Sequence, residues 1–349
     1  MQAAVYHGPE DVRVEAVPEP AVGPGEVKLK VLRTGICGTD LRIYEGGHRL
    51  YPPGTVRIPG HETVGEIVEL GAGVRGYELG QRVFVAPNVG CGHCRQCVSG
   101  NNNLCVEYQA IGLTMDGAFA EYVRIPAPFL QQGNLMPVSE QVDPGVAAMI
   151  EPFACVLRGQ RPLGITAGDI VLVMGAGPIG VMHMKLARLK GAAQVIVSEP
   201  NVQRAQHALA LGADRAINPM EENLEETLRE LSEGRGADVV IVAAPAHAAQ
   251  EQASKLAAIG GRVNFFGGLP KDRSTIRFDS NLVHYKELLV TGTTACSTLD
   301  CQKAVAIVNS GRIDLAPVVS DVFPLTRVVD ALATARGGQA LKVVLNPVP

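Results

Sequence analysis

The 349-residue sequence has no tryptophan, few other aromatic residues and no large excess of charge of either sign. Aromatic residues make up 4% of the chain, which is too few for a surface on which nucleic-acid bases stack. Lysine and arginine number 31 and aspartate and glutamate 35, so the net charge of −4 does not favour binding to a phosphate backbone. We therefore expect no nucleic-acid partner.

Long hydrophobic runs are also absent. The longest apolar stretches without a charge, Ile170–Met182 and Val239–Gln250, have about a dozen residues, whereas a membrane span needs about 20. Met1–Val5 does not resemble the start of a signal peptide. We expect a cytoplasmic protein with no membrane partner, in a compartment where structural disulfides are rare. The eight cysteines are then better explained as metal ligands, nucleophiles or core residues.

The chain changes character near residue 150. Before it, short alternating segments such as Glu26–Leu32 and Thr63–Leu70, separated by glycine and proline, predict a β-rich domain. After about residue 168, strands alternate with helices, from Ile170–Met174 to a candidate sixth strand at Leu288–Thr291. This alternation predicts a doubly wound parallel sheet. The β-like segment Leu341–Leu345 could return to the first domain. The helices of the second half are predicted at Pro178–Lys190, Val202–Leu211, Glu221–Glu233 and His247–Ile259.

The segment Gly175–Gly180 fits the pattern G-x-G-x-x-G and lies between an apolar strand and a predicted helix. Glycine there lets the backbone approach a pyrophosphate at the helix N-terminus. Glu199, at the end of the next strand, is placed to bind the ribose hydroxyls and repel a 2′-phosphate, which favours NAD over NADP. A plain turn with a surface glutamate is the alternative. The predicted cofactor contacts are Gly175, Gly177, Pro178, Ile179, Gly180, Glu199, Arg204, Phe266, Gly267 and Thr293.

Four cysteines lie close together in a segment rich in glycine and asparagine. Cys91, Cys94, Cys97 and Cys105 follow the spacing C-x2-C-x2-C-x7-C, which is typical of a closed tetrahedral zinc site that holds a loop together. The alternatives are an iron–sulfur cluster and a redox dithiol, although bacterial ferredoxins have proline after the fourth cysteine, where this chain has Val106. A zinc ribbon that binds nucleic acid is disfavoured because the loop carries a single arginine.

A second candidate metal site is dispersed along the sequence. Cys37, the pair His61 and Glu62, and the much later Glu151 are each ordinary alone, since a lone buried cysteine is usually a core residue. Together they supply the sulfur, nitrogen and oxygen ligands that suit zinc. A catalytic zinc keeps one position open and acts as a Lewis acid on an alcohol. Beside a nicotinamide, this chemistry gives reversible alcohol oxidation.

These motifs together resemble the zinc-dependent medium-chain dehydrogenases/reductases over essentially the whole chain. Within that family the sequence is most similar to the polyol branch, with its sorbitol dehydrogenase-like enzymes and their threonine and sugar-alcohol relatives. The resemblance implies an α/β fold with a GroES-like β-rich catalytic domain at residues 1–153 and 293–349. It also implies a Rossmann NAD-binding domain, a doubly wound parallel sheet, at residues 154–292. The motifs that carry the resemblance are Gly35–Asp40, Gly60–Glu62, the Cys91–Cys105 loop, Gly117–Tyr122, Glu151-Pro152 and Gly175–Gly180.

The resemblance also implies roles for the candidate metal ligands. Cys37 and His61 would bind the catalytic zinc. Glu62 would be the third ligand, or an alternate that enters and leaves the coordination shell during turnover. In the polyol branch, a glutamate at the position of Glu151 binds zinc directly or through its water and can touch the substrate. Cys91, Cys94, Cys97 and Cys105 would bind the structural zinc.

The proton path departs from the usual pattern of the family. Thr39 would pass the alcohol proton outward, and Asp40 would orient the metal-binding histidine through its other ring nitrogen. Many relatives continue the path with a histidine where this chain has Arg42, and arginine does not relay protons at neutral pH. The proton could leave through the cofactor ribose, water or His48. Arg42 is either a solvated surface residue or the partner of an anionic substrate group such as a carboxylate or phosphate.

Other positions bear on the same site. We hypothesise that Lys342, in the predicted strand Leu341–Leu345, holds Glu62 in one of its two positions, because it is a lone lysine in an apolar strand. The segment Gly292–Cys296 lacks the Arg-Tyr pair that contacts polyol in the mammalian sorbitol enzymes, which argues against sorbitol itself. The remaining cysteines are expected to be free thiols; they are Cys155, Cys296 and Cys301.

The sequence therefore predicts an enzyme that holds two zinc ions per chain, one catalytic and one structural, and uses NAD. It is expected to transfer a hydride between NAD and a secondary alcohol, with a polyol or sugar-alcohol derivative as the favoured substrate. The alternatives are a threonine 3-dehydrogenase-type or general secondary-alcohol dehydrogenase, and a catalytically silent NAD-binding protein, which the intact ligand set disfavours. Family members pair their sixth strands, so Leu288–Thr291 predicts a homodimer or homotetramer.

Overall fold

The computed structural model describes residues 1–348, which form two compact units. The first unit contains Met1–Ala154 and the chain from Cys296 onward, and the second unit is Cys155–Ala295. The sequence-based boundaries, after residues 153 and 292, lie one and three residues before these. The first boundary falls within a continuous helix, Ile150–Gln160. The described part of the chain has no helix long and apolar enough to cross a membrane.

The first unit begins as a β-rich body, in agreement with the GroES-like fold expected from the sequence. Its strands before the boundary are β1 Gln2–Gly8, β2 Asp11–Ala16, β3 Val27–Gly35, β4 Glu62–Leu70, β5 Arg82–Val85, β6 Asn88–Val89, β7 Gln109–Ala110, β8 Tyr122–Ile125 and β9 Leu135–Pro137. Its helices are α1 Gly38–Tyr44, α2 Arg95–Val98, α3 Ala127–Gln131, α4 Pro144–Ala148 and α5 Ile150–Gln160, which runs into the second unit.

The second unit alternates strands and helices. Its strands are β10 Ile170–Met174, β11 Gln194–Ser198, β12 Arg215–Ile217, β13 Ala237–Val242, β14 Ala257–Phe265 and β15 Leu289–Gly292. Its helices are α6 Pro178–Leu189, α7 Val202–Ala210, α8 Leu224–Leu231, α9 His247–Leu256 and α10 Ser280–Tyr285. The first unit is completed by α11 Thr298–Asn309, β16 Val319–Pro324, α12 Val328–Gly337 and β17 Lys342–Asn346.

A seven-stranded sheet is the framework of the first unit. Its order is β16-β17-β3-β4-β5-β9, and β8 pairs with β3 beside that path. Alternate residues of β3 (Val27, Leu29 and Val31) are fully buried, as expected for a strand with one face in the core. The C-terminal strand β17 pairs antiparallel with β3, so the end of the chain does return to the first domain. This pairing brings residues from both ends of the sequence to one place.

The second unit has the Rossmann topology predicted from the strand–helix alternation. All six strands are parallel, in the order β12-β11-β10-β13-β14-β15. Every residue of β10 is buried, as expected for a parallel strand covered on both faces. The order reverses between β10 and β13, and in such sheets ligands bind at the carboxyl ends of the strands beside this switch point. The glycine pattern directly follows β10.

Three local predictions in the second unit differ from the structure. The strand Arg215–Ile217 was not predicted, because three residues are too few to show a pattern. The predicted helix Glu221–Glu233 is shorter, since Asn223 caps Leu224–Leu231 by accepting hydrogen bonds from two backbone N–H groups. The helix that begins at His247 ends at Leu256 rather than Ile259, because Ala257 already pairs with Ala237 in the sheet.

Candidate active site and metal centres

The four cysteines of the predicted structural site lie together in the first unit. Their sulfur atoms form one cluster within 4.8 Å. Cys91 Sγ lies 4.0 Å from Cys97 Sγ, and Cys94 Sγ lies 3.8 Å from Cys105 Sγ. Zinc–sulfur bonds of about 2.3 Å place the sulfurs of a tetrahedral site about 3.8 Å apart. The cluster therefore has the geometry that a zinc ion requires.

Backbone hydrogen bonds favour the thiolate form of Cys91 and Cys94, whereas burial raises the pKa of Cys97 to about 12. The backbone N–H of Cys91 donates to Cys105 Sγ at 3.3 Å, and that of Cys94 donates to Cys91 Sγ at 3.4 Å. A hydrogen bond from the backbone of Cys97 lowers the pKa of Cys94 to about 7. Because metal ligands must be deprotonated, donors that favour the thiolate also favour zinc.

Replacing one cysteine of this cluster tests its role. We expect Cys94→Ala to remove one zinc per chain and lower the thermal midpoint, because a structural zinc site contributes directly to folding. Turnover by the remaining folded protein should stay within about tenfold of the wild type, since a closed site has no open position for substrate. Zinc content by mass spectrometry and kcat measure the two effects, with Cys301→Ala as the cysteine control. Unchanged zinc content in Cys94→Ala would contradict the assignment.

The residues of the predicted catalytic site come from two neighbouring strands. Cys37 lies two residues beyond the end of β3, and Glu62 is the first residue of β4. Gly35 and Glu62 are partners in the antiparallel pair of these strands. The register therefore brings Cys37 next to His61 and Glu62, although 24 residues separate Cys37 from His61 in the sequence. One ligand atom from each of the three lies within 4.8 Å of the others.

Asp40 lies between the start of α1 and His61, the candidate metal ligand. Its Oδ2 accepts a hydrogen bond from the backbone N–H of Cys37 at 2.8 Å, where the helix begins. Its Oδ1 lies 3.5 Å from His61 Nδ1, and both side chains are buried. Burial acts to lower the pKa of His61, but the Asp40 charge and contacts with Cys37 outweigh it and raise this pKa well above its ordinary value. Asp40 is thus placed to orient the ring so that Nε2 can bind a metal.

Lys342 forms a buried ion pair with Glu62. Lys342 Nζ lies 2.6 Å from Glu62 Oε1 and 2.5 Å from Oε2, across 280 positions of sequence. Both side chains are almost completely buried. Burial acts to lower the pKa of Lys342, but the charges of Glu62 and Cys37 outweigh it, so the pKa is raised and the lysine is charged. The contact between Lys342 and Glu62 that was hypothesised from the sequence is therefore present.

Gly35 makes room for this ion pair. A Cβ at position 35 would collide with Glu62 Oε2 and lie 3.1 Å from Lys342 Cε. Any larger residue there would force the carboxylate or the lysine to move. Glycine at position 35 of β3 therefore leaves the space in which the side chains of Glu62 and Lys342 meet.

The donor set fits a zinc ion. A tetrahedral zinc with bonds of about 2.0–2.3 Å holds its donor atoms about 3.3–3.6 Å apart. The ligand atoms of Cys37, His61 and Glu62 all lie within 4.8 Å of one another, so small side-chain movements would bring them to that spacing. A thiol, an imidazole and a carboxylate enclosed together are otherwise costly, since buried charges are normally paired or bound to a metal. Lys342 balances only one of the acidic groups. The residues that would hold the ion are therefore Cys37, His61 and Glu62.

Glu151 lies outside that three-residue cluster. It is the second residue of α5 and is buried, and Cys296 Sγ donates to its Oε1 at 3.5 Å. Cys296 Sγ in turn lies 3.5 Å from Cys301 Sγ. Glu151 is close enough to Lys342 to contribute to the rise in the pKa of that lysine. Glu151 thus lies near Lys342, and its role as an alternate or water-mediated ligand stays a prediction.

Several polar side chains lie around the Cys37–His61 cluster in the first unit. Arg42 Nη2 donates to Thr39 Oγ1 at 3.2 Å. Burial lowers the pKa of His48, and the charges of Arg42 and Arg49 lower it further. Burial raises the pKa of Tyr108, while the charges of His61 and Arg49 oppose this rise. His48 is thus neutral at physiological pH, a form in which it can accept a proton.

The predicted cofactor loop has the geometry of a phosphate-binding turn. Gly175 has φ +107°, a left-handed conformation that favours glycine. A Cβ at Gly180 would collide with the carbonyl of Gly175, so the third glycine permits close packing of α6. Gly177, the N-cap of α6, has open space where a Cβ would be, with no other atom within 4 Å. The helix N-terminus is thus open to an anion.

Glu199 is joined to this loop. It is buried at the end of β11, and its Oε2 accepts a hydrogen bond from the backbone N–H of Ala176 at 2.7 Å. Its Oε1 accepts from the backbone N–H of Asn201 at 2.9 Å. Each oxygen has a second lone pair, so the carboxylate can also accept a ribose hydroxyl. The Nε of Arg204 is buried without a hydrogen-bond partner among the described residues.

The other predicted cofactor residues lie at the end of β14 and after β15. Phe266 contacts His183 edge to face, with ring centroids 4.7 Å apart. A Cβ at Gly267 would lie 2.7 Å from the backbone of Ala244, so glycine allows the loops after β13 and β14 to approach closely. Thr293 lies just after β15, and its Oγ1 is buried without a partner among residues 1–348. These positions surround the carboxyl ends of adjacent strands.

Sequence reasoning missed several residues near the cluster. Cys296 was expected to be a plain thiol; it has no disulfide, but it contacts Glu151. Arg49 and Tyr108 belong to no motif, and only the fold brings them near His61. In the second unit, His183 belongs to no motif and was also missed. It is completely buried against Gln160 and Phe266, and burial lowers its pKa to about 3. No local pattern in the sequence signals these contacts.

Comparison with known proteins matches both units to known families. Residues 23–135 match the alcohol dehydrogenase GroES-like domain, and residues 178–310 match the zinc-binding dehydrogenase domain. The chain is 37% identical to an L-threonine 3-dehydrogenase of Pyrococcus horikoshii, covering 99% of this chain and 97% of the relative. It is 34% identical to a sorbitol dehydrogenase of Halalkalibacterium halodurans, covering 98% and 97%. A zinc-binding dehydrogenase of Sinorhizobium meliloti, solved bound to NADP, is 32% identical with a TM-score of 0.92, covering 99% of each chain.

Proposed function

We propose that this chain, which belongs to the zinc-dependent medium-chain alcohol dehydrogenase family, oxidises a secondary alcohol to a ketone with NAD. The proposed substrate is a polyol or a sugar-alcohol derivative. The Cys37, His61 and Glu62 cluster, with Lys342 paired to the buried Glu62, is the observation that carries the proposal. One bound zinc would act there as a Lewis acid on the substrate hydroxyl, and a second would hold the Cys91–Cys105 loop.

The residues of the chain would divide the remaining work. Asp40 holds His61 in the orientation that metal binding needs. Thr39 Oγ1 would accept the substrate hydroxyl proton as its own hydroxyl proton passes on, and a bound NAD would supply the acceptor for the hydride from the carbon that bears the hydroxyl. Since Arg42 does not relay protons, the proton would pass on through water, the cofactor ribose or the neutral His48. The Gly175–Gly180 turn would bind the pyrophosphate.

The charge of Lys342 has a specific part in this scheme. The Lys342 ammonium group contacts the Glu62 carboxylate and so competes with a metal ion for it. Glu62 could therefore have two stable positions, one on Lys342 and one on the metal, as the sequence hypothesis supposes. Lys342 would act as a positioning residue that sets how readily Glu62 enters the coordination shell.

An amino- or hydroxy-acid dehydrogenase of the threonine type is the second candidate function. The specific observation in its favour is the similarity to the L-threonine 3-dehydrogenase of Pyrococcus horikoshii over almost the whole chain. The sequence similarity to the sorbitol dehydrogenase is nearly as high. The same metal cluster and cofactor loop would serve both reactions, so only a measured substrate preference distinguishes the two functions.

A substrate panel tests the proposed function. We expect the zinc-loaded protein to reduce NAD with polyols or sugar-alcohol derivatives and to lose this activity on chelation. L-threonine and simple secondary alcohols distinguish the alternatives. Activity that returns when zinc is restored would separate metal loss from unfolding. Absence of turnover with every compound, with both metal sites loaded, would contradict the proposal.

Replacing Glu199 tests the proposed cofactor preference. Glu199→Gln removes the charge that would repel a 2′-phosphate and keeps the size of the side chain. We expect the ratio of kcat/KM for NADP to that for NAD to rise by about tenfold or more. Glu226→Gln, on the exposed face of α8, is the matched control and should leave the ratio unchanged. A wild-type preference for NADP would contradict this role of Glu199.

We also propose assembly into a homodimer or homotetramer. Strand β15 is at the edge of the parallel sheet, and Leu289 on it is 46% exposed. An apolar edge strand can pair with the same strand of a second copy. The family pairs these strands, which is the basis of the expectation.

A further inference from the structure

The region around the Cys37–His61 cluster carries positive charge that the proposed reaction does not use. Arg42 and Arg49 are both exposed, and the described residues provide no carboxylate within ion-pair distance of either. Two nearby acidic groups are already engaged. Asp40 binds the Cys37 N–H and faces His61, and Glu62 is paired with Lys342. Both guanidinium groups are therefore available to an external anion.

Arg42 lies next to the residue that would take the substrate proton. Its Nη2 is 3.2 Å from Thr39 Oγ1, on the last turn of the short helix that begins after Cys37. An Nη2 atom at this distance uses one N–H of the guanidinium. The other four donors of the group remain, and the fork they form matches a carboxylate or phosphate. An anion bound to Arg42 would thus lie close to a hydroxyl that reacts at Thr39.

The backbone at Arg49 is anchored by the buried side chain of Tyr51. The turn His48–Tyr51 closes with a hydrogen bond from the backbone N–H of Tyr51 to the carbonyl of His48. The Tyr51 hydroxyl donates to the carbonyl of Gly112 at 2.7 Å, and the ring is almost completely buried. Gly112 packs directly against the backbone of Gly60, the residue before His61. The backbone at Arg49 is therefore fixed relative to His61.

Tyr108 is close to both the His48–Tyr51 turn and the candidate metal ligands. It precedes the short strand β7 by one residue, and its half-buried ring packs against the core cluster that includes Ile36. The charges of His61, Arg49 and Glu151 all act on its phenol group. Tyr108 thus lies among a metal ligand, a second acidic ligand candidate and an unpaired arginine. A substrate that extends from His61 towards Arg49 would pass this ring.

We propose that Arg42 and Arg49 select a substrate that carries an anionic group, a carboxylate or a phosphate, within a few bonds of the reacting hydroxyl. This inference rests on the proposed dehydrogenase function and narrows its substrate class. A neutral polyol would leave both guanidinium groups without a partner. An aldonate or an alditol phosphate would pair with them, and the rigid fork of arginine would give the pairing direction as well as charge.

Matched substrates test the proposal in the zinc-loaded enzyme. Glucitol, gluconate and glucitol phosphate differ in the group at the end of the chain, and the last two distinguish carboxylate from phosphate. We expect kcat/KM for one anionic compound to exceed that for glucitol by about tenfold or more. Arg42→Gln combined with Arg49→Gln should remove this preference, so the ratio of kcat/KM for the anionic compound to that for glucitol should fall by about tenfold. Arg235→Gln, exposed in the second unit, is the matched control.

Calorimetric titration provides a readout that does not depend on turnover. The same anionic compounds are titrated into the zinc-loaded protein with reduced cofactor, and the double variant should bind them about tenfold or more weakly than the wild type. Zinc content and thermal midpoint must match the wild type, so that loss of the fold is not mistaken for loss of the site.

The outcomes separate the two proposals. Turnover of glucitol with no preference for the anionic compounds, unchanged in the double variant, overturns the anion site and leaves the dehydrogenase function in place. Absence of turnover with every compound overturns the dehydrogenase function. In that case, anion binding that the double variant loses still supports the two-arginine site, and equal binding by both proteins overturns it. An anion preference in the wild type that the double variant loses supports both.

Discussion

Replacing His61 with alanine is expected to lower kcat/KM by about three to four orders of magnitude. Loss of a metal ligand removes the Lewis acid from the substrate hydroxyl, and several kcal/mol of barrier correspond to that factor. His61 is buried between Cys37 and Asp40, and no neighbouring side chain of the cluster can replace its nitrogen. The effect should appear in kcat at saturating substrate.

The His61→Ala variant needs two controls. His207→Ala, on the exposed face of α7, should retain wild-type activity. The Cys91–Cys105 site should keep its zinc in His61→Ala, so the variant should lose one zinc per chain and stay folded. A variant that keeps more than about a tenth of the wild-type kcat/KM would mean that His61 holds no metal needed for turnover.

Replacing Lys342 with methionine is expected to affect both stability and metal binding. The substitution leaves the Glu62 carboxylate buried without its partner, and breaking a buried ion pair from one side costs about 3–5 kcal/mol of unfolding free energy in a metal-free protein. Zinc binding should partly restore the stability, because the metal then balances Glu62. Zinc affinity should rise and turnover should fall, because Glu62 loses one of its two positions.

A double-mutant cycle isolates this interaction. Glu62→Gln added to Lys342→Met removes the unpaired charge, so the double variant should be more stable than Lys342→Met alone. Lys303→Met, exposed on α11, is the matched control and should change the stability by less than about 0.5 kcal/mol. Zinc affinity and turnover that both stay at wild-type values in Lys342→Met would refute the positioning role.

The fold was predictable because local patterns and motif order agree in this chain. Fully apolar strands such as Ile170–Met174 followed by a glycine turn and a helix leave few alternatives to a parallel sheet. The exceptions are short or ambiguous segments. The three-residue strand Arg215–Ile217 has no periodicity of its own. Leu256–Ile259 is apolar throughout and fits a helix end as well as a strand, and only pairing with β13 decides it.

The candidate site was predictable only where a motif marks it. Cys37, His61 and Glu62 stand in recognisable short motifs, so their meeting across β3 and β4 could be expected. Lys342 has no motif and was proposed because it is a lone lysine in an apolar strand and Glu62, beside the metal, needed a partner. The contact of Cys296 with Glu151, and the approach of Arg49 and Tyr108 to His61, depend on long-range packing. Sequence spacing contains no information on such contacts.

A zinc titration is the decisive test of the proposed catalytic metal. Zinc per chain is measured by mass spectrometry while a chelator removes the metal stepwise, and NAD reduction with the best alcohol of the panel is followed in the same samples. We expect two zinc ions per chain in the wild type and one in His61→Ala. Turnover should be lost in proportion to the zinc held by Cys37 and His61. A wild type that binds one zinc, or turnover that survives removal of both, would contradict it.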